Sequence, residues 1–126
     1  MDLDQIKKLF VVAALYDFIL GIVFLLGFRQ IYSYCGVALP NHDGYVQFAA
    51  ALVTIFGIGF GFVARAPERN RDIIKMGICL KLAYSGIVLG HWFFGSIPSV
   101  WMPFAWVDLV FLLVFVKVLR ALPVKD

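Results

Sequence analysis

The chain of 126 residues is too apolar for a soluble domain, because 63% of its residues are hydrophobic, only 15% are charged and its mean hydropathy is +0.93. Soluble domains average about 45–50% apolar and about 25% charged residues. Lipid must therefore solvate much of the surface, and the net charge of +3 gives no indication of a nucleic-acid partner.

Four segments are apolar over the roughly 20 residues that a helix needs to cross a bilayer. Their Leu, Phe, Val and Ile residues run continuously instead of alternating, which favours helices over strands. The predicted helices, in chain order, cover about residues 6–28, 45–64, 72–94 and 103–121. The sequence thus predicts an all-α membrane protein, a single domain over residues 1–126 that forms a four-transmembrane-helix bundle of up-down topology. We expect the first segment to be retained, since no small-residue cleavage pattern follows it.

The basic residues indicate the orientation of the bundle, because Lys and Arg concentrate on the cytoplasmic side of membrane proteins. All 11 Lys and Arg residues except Arg29 and Lys81 lie near the termini or near the loop at residues 65–72. We therefore expect both termini and that loop in the cytoplasm, with residues 29–44 and 95–101 on the outer side of the membrane. Aromatic residues expected at the outer interface agree with this orientation: Tyr32, Tyr34, Tyr45, Trp92, Trp101 and Trp106.

Three ionisable side chains are expected at membrane depth, namely Asp17, Lys81 and Asp108. Burying such a group costs at least about 2.5–3.5 kcal/mol, so each one is a functional-site hypothesis by default. Asp17 and Lys81 lie at equal depth, each about 12 Å along its helix from the cytoplasmic end. We therefore predict an Asp17–Lys81 pair, with Asp108 as the other candidate partner of Lys81. Tyr84 and Ser85 share a helical face with Lys81 and complete the predicted intramembrane polar cluster.

Four glycines are predicted to bring the helices close together. Gly21 and Gly77 lie on the same faces as Asp17 and Lys81, and Gly57 and Gly61 form a small-xxx-small pair in the second helix. Small residues let helix backbones approach one another within a membrane. We therefore expect helix packing at Gly21, Gly57, Gly61 and Gly77.

The sequence predicts no metal site, no cofactor and no catalytic residue. His91 has no second ligand at a suitable spacing, and His42, Asp43 and Cys35 lack the regular spacing of metal-binding motifs. Cys35 and Cys79 differ in depth by roughly 20 Å, which is too far for a disulfide. We therefore do not expect an enzyme.

Several residues carry a resemblance to a known group of proteins: Tyr16-Asp17 followed by Gly21, Pro40 in the outer loop, Arg65-Ala66-Pro67-Glu68 after the second helix, Gly77 and Lys81, and Asp108 followed by Phe111. Over nearly its whole length the chain resembles the small bacterial four-helix inner-membrane proteins of the DoxX-like and BphX-like kind. The resemblance implies an inner-membrane protein that acts beside an oxidoreductase or electron-transfer partner. It implies no catalytic residue.

Three functions are compatible with these features. The leading hypothesis is an accessory subunit that packs against partner subunits of a respiratory or photosynthetic electron-transfer complex, or against further copies of itself, with the polar cluster serving only to fix helix register. A first alternative is a small oligomeric proton-coupled transporter in which Asp17 and Asp108 take up protons. A second alternative is a quinone- or lipid-binding redox protein that uses Lys81, Tyr84 and His91.

Overall fold

The computed structural model describes residues 1–124 and is helical over most of them. Its four long helices are α1 (Leu3–Cys35), α2 (Asp43–Arg65), α3 (Arg71–Phe94) and α4 (Met102–Ala121). All four are long and apolar enough to cross a membrane, which confirms the prediction of an all-α chain with four helices of spanning length. Lys125, one of the basic residues assigned to the cytoplasmic side, lies outside the described residues.

Local polar contacts set several of the helix ends. Asp2 and Gln5 form a capping box, in which the Asp2 carboxylate accepts from the Gln5 N–H at 2.8 Å and the Gln5 side chain accepts from the Asp2 N–H at 3.0 Å. His42 Nδ1 accepts from the Gly44 N–H at 2.9 Å and begins α2 in the same way. At the other end of α2, the Asn70 amide donates to the carbonyl oxygens of Phe62 and Ala66 at 3.0 and 2.9 Å, and each of these oxygens also accepts a main-chain N–H.

Helix α1 is longer than predicted, since it passes position 28 and ends at Cys35. Tyr32 follows Phe28 by one helical turn, packs edge-on against its ring and is 8% exposed, so the added turns still have a buried face. Gly27 leaves helical geometry at φ −124° and ψ 16° and bends the helix there, and Gly36 ends it in the left-handed conformation at φ 68°. The connection to α2 is therefore residues 36–42, shorter than the expected outer segment.

Two glycines let α1 and α2 pack backbone against backbone. A Cβ atom on Gly57 would lie 2.5 Å from the main-chain nitrogen of Phe18. A Cβ atom on Gly21 would lie 2.6 Å from the main-chain nitrogen of Thr54. Since neither neighbour can move as the end of a flexible side chain would, both positions require glycine.

The prediction for Gly61 was wrong, because nothing lies within 4 Å of the place where its Cβ would be. The buried face of α2 continues from Gly57 through Phe60 and Val63. Gly61 lies about 100° around the helix from Phe60, so it points away from that face. Helical spacing alone therefore overestimated how far the close contact extends along α2.

Three phenylalanine rings from three helices form the core at one end of the bundle. Phe10 of α1, Phe60 of α2 and Phe115 of α4 are all fully buried, with ring centroids 4.7 to 5.9 Å apart. Gly77 of α3 packs on the Phe60 ring, since a Cβ there would lie 2.5 Å from a ring carbon. We name this end of the molecule the N-terminal end. It contains the starts of α1 and α3 and the ends of α2 and α4.

The bundle consists of two hairpins with less contact between them than within them. Helix α1 packs along α2 and α3 packs along α4, whereas α2 and α3 have much less backbone in contact. The Arg71 guanidinium closes the second hairpin by donating to the carbonyl oxygens of Leu119 and Leu122 at 3.2 and 2.8 Å. Arg29 and Asp43 close the first hairpin at the opposite end through an ion pair of 2.6 Å. We name this the loop end, because the connections at residues 36–42 and 95–101 lie there.

Gly57→Ala should destabilise the protein, and Gly61→Ala should not. Both changes gain about 1 kcal/mol of helix propensity. Only the methyl group added at position 57 would meet main-chain atoms, an overpacking cost of about 1–3 kcal/mol or more. SDS titration in mild detergent, followed by circular dichroism, compares the two variants directly. Equal midpoints for both would contradict the close α1–α2 contact.

Candidate functional site

The Lys81 ammonium lies at the centre of the predicted polar cluster and is bonded to both aspartates at once. Its Nζ is 2.8 and 3.1 Å from the two carboxylate oxygens of Asp17 and 3.0 Å from Oδ1 of Asp108. Asp17 and Lys81 are each 1% exposed, and Asp108 is 7% exposed. The sequence offered the two aspartates as competing partners, and the structure brings them together. We call these three residues the triad.

Aromatic rings enclose the Lys81 ammonium on the sides that the carboxylates leave open. Its Nζ is 5.1 Å from the ring centroid of Phe111, 5.5 Å from that of Tyr16 and 5.8 Å from that of Phe60. Ring faces attract cations, more strongly where water is excluded. The surroundings of the triad therefore stabilise positive charge without supplying a further counter-ion.

The triad has one negative charge in excess when all three groups are ionised. No other Lys, Arg or His among residues 1–124 makes an ion pair with Asp17 or Asp108. An uncompensated charge is costly to bury in a protein interior and more so in lipid. The triad is therefore neutral only when it has taken up one further positive charge, either a proton or a bound cation.

The structure places Tyr84 and Ser85 beside Lys81 but bonds their hydroxyl groups elsewhere. Ser85 Oγ donates to the main-chain oxygen of Lys81 at 2.6 Å, a contact within α3. Tyr84 Oη donates to the main-chain oxygen of Trp101 at 3.1 Å and so ties α3 to the start of α4. Ser85 therefore supports the helix at the triad, and Tyr84 orients a ring next to it.

Tyr16 belongs to the site although the sequence analysis did not select it. Its ring lies over the Lys81 ammonium, and its hydroxyl is buried with no hydrogen-bond partner among the described residues. The signal for it was adjacency to Asp17, but successive residues point about 100° apart on a helix. The ring of Tyr16 is large enough to extend back across that angle to Lys81. Grouping residues by helical face does not detect such a contact.

A cavity of about 350 Å³ lies above the triad, between the two hairpins and toward the loop end. Asp17, Lys81 and Asp108 form its floor. Its walls come from all four helices and combine small and aliphatic residues with six aromatic ones: Phe24, Tyr32, Tyr45, Tyr84, Trp101 and Phe104. Tyr45 and Ala49 line the cavity and are themselves exposed, so it opens beside the first turns of α2. The volume lies within the range of small-molecule sites.

Several polar residues considered in the sequence lie away from this cavity. His91 is exposed and stands ten residues beyond Lys81, about 15 Å along α3. His42 caps α2 and Asp43 pairs with Arg29, while Cys35 and Cys79 are free and exposed. Within residues 1–124, no three His, Cys, Asp or Glu side chains are grouped so that they could hold a metal ion.

Comparison of the chain with protein-family models, with curated proteins and with solved structures finds no match. The chemistry of the site therefore rests on its own geometry. That geometry is a buried acid–base triad that forms the charged floor of an aromatic cavity open at one side.

Lys81→Met should destabilise the protein by about 3–5 kcal/mol, because it leaves two buried carboxylates without their cation. Lys75→Met is the matched control, since Lys75 pairs with Asp72 on the exposed surface and such pairs contribute about 0–1 kcal/mol. Adding Asp17→Asn and Asp108→Asn to Lys81→Met should recover most of the loss. SDS titration measures all four proteins, and a Lys81→Met variant as stable as Lys75→Met would contradict the role assigned to the ammonium.

Proposed function

We propose that this chain is a small carrier of the bacterial inner membrane that binds an amphiphilic molecule in the cavity between its two hairpins. The observation that carries this proposal is the triad at the floor of an open cavity with aromatic walls. A salt bridge that only fixed helix register would be covered by packed side chains. Here Asp108 lines a space large enough for a ligand.

The proposed orientation is up-down with both termini in the cytoplasm, and the distribution of charge supports it. Lys7 and Lys8, Arg65 and Arg120 all belong to the N-terminal end of the bundle, and cytoplasmic segments are rich in such residues. The cavity then opens toward the outer half of the bilayer. An amphiphilic ligand reaches it sideways from lipid, with its polar group directed at the triad.

In the proposed carrier, Asp17 and Asp108 couple ligand binding to the uptake and release of a proton. Lys81 belongs to the second hairpin and joins it to the first by binding Asp17, while it also binds Asp108 of its own hairpin. A change in charge at Asp17 acts on the contact between the hairpins directly, and one at Asp108 acts on it through the shared ammonium. Alternating access requires such a link between ligand, proton and helix arrangement. The triad is the element of the fold able to provide it.

A cavity-filling variant tests whether the space holds a ligand. Val53 lines the cavity, while Ile55 lies on the opposite side of α2 and is 58% exposed. Native mass spectrometry of protein purified in mild detergent should detect a bound small molecule in the wild type and in Ile55→Trp, and none in Val53→Trp. A wild type without such a molecule, or equal occupancy in Val53→Trp, would remove the proposal.

A second candidate function, the accessory subunit, is favoured by the outward face of α3. Four small residues recur at helical spacing on this face: Cys79, Ala83, Gly86 and Gly90. Nothing lies within 4 Å of the place where a Cβ on Gly86 or Gly90 would be. A row of small residues facing lipid allows another helix to pack closely. We propose that this face contacts a second copy of the chain or a subunit of an electron-transfer complex, as the DoxX-like resemblance implies.

Cysteine crosslinking tests this contact in intact membranes. In a Cys35→Ser background, a short bismaleimide should join Cys79 to a neighbouring chain, and the mass of the adduct identifies that chain. Gly86→Leu should abolish the adduct by holding the helices apart, whereas Leu82→Ala, also on a lipid-facing side of α3, should preserve it. Finding only uncrosslinked chains labelled at Cys79 would exclude the contact.

A further inference from the structure

We propose that the molecule bound in the cavity is a monovalent organic cation, and that it exchanges for one proton held by the triad. This inference rests on the proposed function and adds the charge of the ligand to it. It follows from three features of the site: the charge of the floor, the chemistry of the walls and the carboxylate oxygen of Asp108 that Lys81 does not bind.

The charge of the floor discriminates between ligand classes. With both carboxylates and the ammonium ionised, the triad has a charge of −1 and its members are almost fully buried. A cation cancels this excess and can therefore take the place of the proton, whereas a neutral molecule can bind only while the proton stays and an anion would add a second negative charge. Because an uncompensated charge in a site of low dielectric constant is costly, only a cation can exchange for the proton.

The walls of the cavity suit the same class of ligand. Aromatic faces such as those of Tyr45, Trp101 and Phe104 attract organic cations, including quaternary ammonium groups. The other side of the triad already uses this chemistry, since three rings lie within 5.8 Å of the Lys81 ammonium. A lipophilic cation would therefore find ring faces around it and a carboxylate below it.

Asp108 is the carboxylate that a ligand meets. Its side chain is 10% exposed, against 2% for Asp17, and Lys81 binds its Oδ1 alone. Oδ2 therefore remains for a ligand, while both oxygens of Asp17 are bonded to Lys81. The cation pairs with Asp108, and Lys81 stays with Asp17.

The exchange balances in charge and in atoms. In the empty protein one proton resides on the two carboxylates, and the triad is neutral. When the cation binds at Asp108, that proton leaves to solvent, no bond to carbon changes and Lys81 keeps its charge. The titratable groups facing Asp108 are Lys81 and Tyr84 of α3, Tyr16, Asp17 and Tyr32 of α1, and Tyr45 of α2. The two aspartates carry the negative charge of the triad, so the exchanged proton is assigned to them.

The sign of the pH effect follows from the released proton. Raising the pH removes the competing proton, so the affinity for the cation should increase by up to about tenfold per pH unit while the triad is protonated. The dependence should level off once the proton is absent. A neutral ligand that binds the cavity without displacing the proton should show no such dependence.

Phenyltrimethylammonium and its uncharged isostere tert-butylbenzene provide a matched pair of probes. Isothermal titration calorimetry on the full chain in mild detergent should show binding of the cation, with about one proton released when buffers of different ionisation enthalpy are compared. Asp108→Asn should weaken cation binding by about 30-fold or more, as expected when one partner of a buried charge pair is removed, and should abolish its pH dependence. Asp108→Glu should retain both properties.

Asp72→Asn is the control for loss of an acidic group, since Asp72 is exposed and its contact is with Lys75. It should bind the cation as the wild type does. If tert-butylbenzene binds as tightly as the cation and Asp108→Asn changes neither, the inference is wrong although the carrier proposal stands. If the cation binds without releasing a proton, the exchange is excluded. If neither probe binds and native mass spectrometry finds no ligand, the carrier proposal itself fails.

Discussion

A single ammonium group joins the two hairpins of this protein at membrane depth. Lys81 binds Asp17 of the first hairpin and Asp108 of the second, where α2 and α3 have little backbone in contact. Lipid tails are as apolar as the side chains they would replace, so polar bonds and shape determine how membrane helices associate. This bond, the phenylalanine core at the N-terminal end and ring contacts such as Tyr32 with Trp101 hold the hairpins together. The cavity is the space that remains between them toward the loop end.

The four helices could be predicted because a bilayer demands length and apolarity from any helix that crosses it. The end of α1 could not, since hydropathy reports which residues suit hydrocarbon and does not report where a helix stops. The turns after Phe28 contain Arg29 and Ser33 and lose the apolar signal while remaining helical. Gly57 and Gly61 also look alike in the sequence, and only the path of α1 past Phe18 distinguishes them.

The members of the triad could be named from the sequence because ionisable groups are conspicuous in apolar segments, and equal depth suggested the pairing of Asp17 with Lys81. The cavity could not be inferred, because it depends on the distance between hairpins, which no pattern within one helix expresses. Tyr32, Tyr45 and Trp101 had a sufficient explanation as interfacial aromatics. Their second role, as walls of a site, arises only from the fold.

The bend at Gly27 gives the bilayer an influence on the site. With 33 residues, α1 is about 50 Å long, while the 20 residues of α4 span about 30 Å, the thickness of a typical hydrocarbon core. In a bilayer whose hydrocarbon core matches α4, the turns of α1 beyond Gly27 would lie in the headgroup region, together with the contact that Tyr32 makes with Trp101 over the cavity. A helix that exceeds the membrane adapts by tilting or bending. Bilayer thickness would thus adjust the roof of the cavity, and the lipid composition of the membrane becomes part of what sets its shape.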